Sequence, residues 1–386
     1  MSDKPTEKAP PEAPIAKTDP PEASIQPQRL RKLLRRLVEI YSPSGKEEDV
    51  LEYARNWLKR RGLEAHRQEV DDRRYNLVIS PQGKEAKLAL IGHLDTVTAY
   101  DLETLGYEDE GDELKGLGAA DMKGGCAAMM EAFAALAESG REMPPVALAL
   151  VVGEEEDGDG AEALAQDYHF PWAIIGEPTD LQPCLEHHGY LEMELYARGH
   201  RRHASLASPW DNPVREVLRL LMAISGHLDD HHAELVYNIR DIHSWPEGFM
   251  VPEGCNAWVD VHLPSRTPLG ELTMEVEEVV LSQEGNHSGL DMGLRLHTVQ
   301  NGYRLPQRGP VVEALKQIYQ AQGLAWKPQA FPSHSDANQL WAAGVRPILL
   351  GPGRLDMSHV PEESVSFSQV LTAAQIYHSL ALQMAP

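Results

Sequence analysis

The stretch "VALALVVGEEEDGDG" at 146–160 runs from apolar residues into Glu154, Glu155, Glu156 and Asp157. Like charges at the end of a buried strand call for a cation. Other apolar runs end in the same way. "LALIGHLDT" delivers His93 and Asp95, "AIIGEPTD" delivers Glu177, and "RPILLGPGRLDMSHVPEE" leads to His359. Asp121 stands at a loop-to-helix junction in "GLGAADMKGG". Taken singly, each has a bland reading: Asp121 as a helix cap, Glu177 as loop chemistry, His359 as a surface histidine. Together they form an imidazole and carboxylate set sufficient for two divalent ions, zinc first, with cobalt or manganese as alternatives. Asp95, two residues from His93, is placed to fix the imidazole tautomer.

The elements that must position these groups follow from periodicity. "YNLVIS" (75–80), "KLALIG" (87–92), "VALALVV" (146–152), "AIIG" (173–176) and "RPILLG" (346–351) read as buried strands. Between them fall helical patterns over 30–38, over 122–140 with Gly140 just past the end, and over 310–322. Ser44 and Glu47 have capping-box spacing before a helix that Gly62 stops. Continuous apolar strands alternating with helices predict an α/β fold, a mostly parallel sheet with helices on both faces. In such sheets ligands gather beyond the carboxyl ends of the strands. All five clusters would then meet at one rim.

Near residue 187 the texture changes. "LEMELYARG", "NAWVDVHL" and "GLRLHTV" alternate like half-exposed strands, separated by helices at 212–225 and 269–283. The predicted organisation is a catalytic domain of 29–186 and 300–386, interrupted by a smaller α+β domain at 187–299. Residues 1–28 are proline-rich and lack aromatic side chains, and they read as a disordered tail. His231 and His232 read as a solvated helix end.

Composition narrows the function. Lys and Arg number 35 against 59 Asp and Glu, a net charge of −24. Such acidity argues against nucleic acid or an anionic membrane as partner. Cys126, Cys184 and Cys255 are far apart and form no CxxC pair. Neither a disulfide framework nor a cysteine zinc site is indicated, and a reducing cytoplasm fits best. No apolar run is long enough to span a bilayer.

The motifs "GHLDTV", "GAADMKGG", "GEEEDG", "GEPTD", "RGHRRHAS" and "LGPGRLDMSH", in this order, resemble the M20 family of metallopeptidases and deacylases, of the acetylornithine deacetylase and succinyl-diaminopimelate desuccinylase type. The resemblance covers about residue 30 to the end. It implies that His93, Asp121 and Glu177 hold one metal, and that Asp121, Glu156 and His359 hold the other. It further implies that Asp95 orients His93, that Glu155 is the general base, and that Glu154 matters least. A register one residue earlier, with Glu154 as base, is the alternative. The family's histidine in the inserted domain corresponds to His203. In relatives that domain dimerises, and the histidine reaches the partner's active site to stabilise the oxyanion.

The chain departs from the family pattern at Leu117, where relatives often carry arginine, and at His262, where relatives carry the arginine of D-x-R. Phe249 and Met250 stand where an asparagine is usual. His262 or Arg266 is therefore the candidate to hold a substrate carboxylate. The expected activity is a cytoplasmic amidohydrolase of amino-acid metabolism that cleaves a small N-acyl amino acid by attack of a metal-bridging hydroxide. The alternatives are a dipeptidase or carboxypeptidase on the same scaffold, and a non-catalytic binding protein that retains the fold. A homodimer through the inserted domain is the expected assembly.

Overall fold

Leu30, Leu33, Leu34, Leu37 and Val38 recur at helical spacing, and the helix Pro27–Glu39 buries all five. Proline suits its first turn, where a missing N–H costs no hydrogen bond. The structure is a computed structural model that describes residues 24–385, except 82, 84, 100–105, 208–210 and 284–289. Most of the predicted tail therefore lies outside the described residues. Its last part does not behave as a tail, because Pro27 and Gln28 already belong to the helix. The Glu131 carboxylate fixes this start: it accepts from the Gln26 backbone N–H at 2.8 Å and from Arg29 Nε at 2.7 Å and NH2 at 2.9 Å.

The main sheet runs in the order His66–Glu69, Tyr75–Ile79, Val146–Val151, Leu88–His93, Trp172–Ile175, Arg346–Leu349, Cys184–His187 and Tyr303–Arg304. Gln329–Phe331 pairs beside Cys184–His187. The strands Val146–Val151, Leu88–His93, Trp172–Ile175 and Arg346–Leu349 are mutually parallel. Antiparallel pairs finish both edges. The first three of those central strands are buried at every residue. That burial explains why their sequences are apolar without alternation. The helix Gly124–Glu138 is buried from Gly124 through Leu136. It packs against the helices Phe367–Gln383 and Pro27–Glu39 as well as the sheet. Gly140, with φ +67°, ends it.

A second, antiparallel sheet has the order Val236–Trp245, Gly254–Leu263, Gly189–Arg198 and Asp291–Gln300. The helices Pro213–His231 and Leu269–Gln283 cover it. Leu191, Leu195, Leu220, Ile224, Val259 and Val276 belong to its own hydrophobic cluster. Sequence periodicity did not reveal Val236–Trp245. It is an edge strand whose residues are mostly exposed, so burial imposed no clean alternation on it. Among the described residues no helix is long and apolar enough to cross a membrane.

The capping box expected from Ser44 and Glu47 does not form. Glu47 is itself the N-cap of the helix Glu48–Lys59 and makes no side-chain cap bond. Ser44 is used elsewhere, as described below. For the first helix, Arg29→Met would leave the Glu131 carboxylate buried without its cation, which costs about 3 kcal/mol when one member of such a pair is removed. Urea unfolding should show a loss of that order. An unchanged midpoint would contradict the anchoring role.

Candidate metal centre

Strand register brings the chemistry together. His93 ends its strand opposite Val151, and Ile91 pairs with Ile175. Two residues beyond Ile175 the chain reaches Glu177, beside His93. Beyond Val151 the chain must turn sharply. Gly153 does so at φ +74°, a conformation that disfavours a side chain, and its carbonyl accepts from the Gly158 N–H at 2.7 Å. The loop thereby folds back over the rim. Behind the rim, a Cβ on Gly125 would collide with the Gly176 carbonyl. Glycine at that position lets the helix Gly124–Glu138 approach this closely.

His93 is fully buried. Its Nε2 lies 3.3 Å from Asp121 Oδ1, 3.7 Å from Glu154 Oε2 and 3.8 Å from Glu177 Oε1. The Nδ1 atom lies 3.1 Å from the Asp95 carbonyl and 3.7 Å from Asp95 Oδ1. The other oxygen of Asp121 faces His359, whose Nε2 is 3.5 Å away. His359 Nε2 also lies 3.0 Å from Glu155 Oε2. One carboxylate, Asp121, therefore stands between two imidazoles. His359 takes the left-handed conformation, φ +59°, to reach this position.

The glutamate register differs from the expected one. The side chains of Glu154 and Glu155 turn inward, whereas Glu156 is exposed and makes no side-chain contact with the cluster among the described residues. The turn explains the difference. The Glu155 N–H donates to Asp95 Oδ2 at 3.1 Å, which pins that residue over the rim. The next residue is carried out to solvent. Glu155 thus stands beside His359, and Glu154, expected to matter least, beside His93.

Electrostatics show what the cluster lacks. Burial pushes the carboxyls of Glu154 and Glu177 well above the usual range, and neighbouring carboxylates add to it. Burial also raises Glu155, reinforced by Asp121 and opposed by the His359 hydrogen bond. Burial disfavours a charged His93, but Glu154, Asp121, Asp95 and Glu177 outweigh it and hold the imidazole well above its ordinary value. The hydrogen bond to Glu155 lifts His359 to about 9. Every one of these shifts retains protons, the response of a site short of positive charge. His93 Nε2 and Glu177 Oε1 are moreover buried without a hydrogen-bond partner among the described residues. Such orphaned atoms are costly unless a cation takes them. The donors are imidazole and carboxylate, and those of His93, Asp121 and Glu155 lie within 4.8 Å of one another. The set fits a borderline divalent metal.

Several supporting residues went unread in the sequence. Glu363 is buried, and its carboxylate accepts from the N–H groups of Gly118 at 2.9 Å, Ala120 at 2.9 Å and Asp121 at 3.0 Å. It ties down the turn that presents Asp121. Ser44 donates to Asp95 Oδ2 at 2.8 Å. Asp336 is buried near the cluster, and burial among other carboxylates pushes it to about 8. The "VPEES" and "SHSDAN" segments had no spacing signal that separated them from ordinary loop residues.

His262 and Arg266 part company. Arg266 is exposed. His262 sits with its ring centroid 5.3 Å from Tyr190 and 6.5 Å from His334. Burial lowers His334 to about 4, and His359 and Asp121 both act on it. This imidazole and phenol group therefore borders the cluster. His203 does not join it within the chain. It is exposed, and its Nδ1 lies 2.8 Å from Ser205 Oγ.

Residues 89–383 match the sequence profile of "Peptidase family M20/M25/M40". A putative [LysW]-lysine/[LysW]-ornithine hydrolase of Pyrococcus abyssi is 25% identical, over 92% of this chain and 93% of its own. An acetylornithine deacetylase of Vibrio atlanticus is 26% identical, over 83% of this chain and 87% of its own. The crystal structure of an M20 family metallo-carboxypeptidase from Sulfolobus solfataricus superposes with a TM-score of 0.73 at 16% identity, covering 92% of this chain and 99% of that one.

The support from Glu363 can be checked directly. Glu363→Gln should weaken metal binding about 10- to 100-fold, as loss of a residue that orients a ligand does. Chelator competition on the folded variant reads this. Unaltered affinity would contradict the role.

Proposed function

The chain belongs to Peptidase family M20/M25/M40, a family of metal-dependent hydrolases, and on that premise we propose that it is a cytoplasmic deacylase that hydrolyses the amide bond of a small N-acyl amino acid. The observation that carries the reading is Glu154: a buried carboxylate beside His93 that is not needed to complete either ligand set. His93, Asp121 and Glu177 would hold one divalent ion, and Asp121, Glu155 and His359 a second. The support is that the two oxygens of Asp121 face the two histidines separately. Zinc is the first expectation for both ions, with cobalt or manganese as alternatives. Bound there, the ions would supply Lewis acidity toward the amide carbonyl and toward the attacking water.

The chain's own groups would do the rest. Glu154, raised by burial, is suited to take a proton from the attacking water and return it to the departing amine. Asp95, held by Ser44 and by the Glu155 N–H, would keep the His93 ring oriented. Tyr190, His262 and His334 would line the substrate side. A neutral imidazole there can offer a hydrogen bond without the strong charge of an arginine. The names of the deacetylase and [LysW]-hydrolase relatives favour an N-acyl substrate.

The second sheet with its helices would act as a dimerisation and lid domain. Its edge strand exposes Val236, Ile239 and Ile242, an apolar edge suited to a second copy. The exposed His203 would then reach the partner's site and stabilise the oxyanion.

Two experiments test this reading. Glu154→Gln should lower kcat by about 10²-fold or more with metal content unchanged, Glu155→Gln should lose metal, and Glu156→Gln should behave as wild type. Loss of turnover in Glu156→Gln alone would overturn the assignment. Across a panel of N-acetyl and N-succinyl amino acids and dipeptides, the acyl amino acids should show the higher kcat/KM. Preference for dipeptides would make the enzyme a peptidase.

A further inference from the structure

The second sheet carries another convergence of ligand atoms, far in sequence from the centre described above. The helix Pro213–His231 ends with His227 in its last turns, and His232 follows as its C-cap. Five residues apart, these two side chains would point in different directions on a continuing helix. They meet because the helix stops: His232 leaves helical geometry, with φ −136° and ψ +48°. Both rings then turn to Glu275 on the neighbouring helix Leu269–Gln283. Glu275 Oε2 lies 3.1 Å from His227 Nε2 and 2.6 Å from His232 Nε2. The three donor atoms lie within 4.8 Å of one another.

We infer that His227, His232 and Glu275 form a third metal site, structural rather than catalytic, that takes a zinc-type divalent ion. Three features support it beyond proximity. The donors are two imidazole nitrogens and one carboxylate oxygen, a set that borderline metals accept. Ligand atoms around a tetrahedral zinc, at bond lengths near 2.0–2.1 Å, sit about 3.3 Å apart. The observed separations need only a small outward relaxation to reach that value. Behind His232, Glu234 Oε1 lies 3.8 Å from Nδ1, close to the carboxylate–histidine arrangement that orients metal-bound imidazoles. The side chains are 18%, 19% and 39% exposed for His232, His227 and Glu275. An ion can therefore enter from solvent, and water can complete the fourth position.

The consequence is mechanical. A metal here would pin the end of one covering helix to the middle of the other. It would bind the native state and not the unfolded chain, and so raise stability with free metal concentration. Nothing in this depends on the hydrolytic assignment, since none of the three residues belongs to the catalytic cluster.

The test compares the wild-type protein with His227→Gln/His232→Gln. Both are stripped with chelator and dialysed against low micromolar Zn²⁺. The double variant should hold one zinc per chain fewer than wild type, lose most of the extra zinc-dependent rise in Tm, and keep its kcat/KM. Glu275→Gln preserves the side-chain shape and both imidazoles. It should give the same zinc deficit, and serves if the double variant fails to fold. Equal zinc counts together with an equal zinc-dependent Tm rise would overturn the site.

Discussion

Carboxylates buried at the carboxyl ends of parallel strands impose one condition on the fold: positive charge must be present at that rim. Among the described residues, Asp95, Asp121, Glu154, Glu155, Glu177 and Asp336 crowd around His93 and His359, with the buried Lys123 acting on Asp95 from behind. Protons can meet the demand in part, as the raised carboxyls and imidazoles show. Divalent ions would meet it better, because they could also take the orphaned atoms His93 Nε2 and Glu177 Oε1. The sheet's parallel centre exists to make this crowding geometric: the pairs Ile91–Ile175 and His93–Val151 decide which side chains meet.

The loops that hold the ligands are themselves held by carboxylates. Glu363 gathers the N–H groups around Asp121. Asp95 joins Ser44 to the glutamate turn while facing His93. These bonds use carboxylates outside the proposed ligand set to order backbone N–H groups and the Ser44 hydroxyl. A metal site assembled from several strand ends and the turn of Asp121 would need such restraint, because displacement of any one loop would open the set. The histidine pair on Glu275 has a simpler construction, in which the end of one helix turns its imidazoles toward its neighbour.

Much of the fold was legible in the sequence because its central strands are buried on both faces and read as unbroken apolar runs. The same burial made His93 and Glu177 stand out as candidates, since polar residues directly after such runs are conspicuous, whereas Asp121 and His359 lie in loops beyond them. Three kinds of feature were not legible. The edge strand Val236–Trp245 is exposed and carries no clean alternation. Supporting acids such as Glu363 and Asp336 act over long sequence separations, and nothing local distinguishes them from loop residues. The choice among Glu154, Glu155 and Glu156 depends on where Gly153 turns the chain, a backbone property that three identical side chains cannot report.

Two ions flanking Asp121, with Glu155 rather than Glu156 as a ligand, is the arrangement proposed above. Anomalous diffraction at the metal absorption edge, from crystals of the metal-loaded protein, tests it most directly. Two anomalous peaks are expected, on opposite sides of the Asp121 carboxylate. His93 and Glu177 should contact one, His359 and Glu155 the other, with Glu154 in contact with neither. A peak coordinated by Glu156, or a single peak that leaves one of the two histidines without metal, would contradict it.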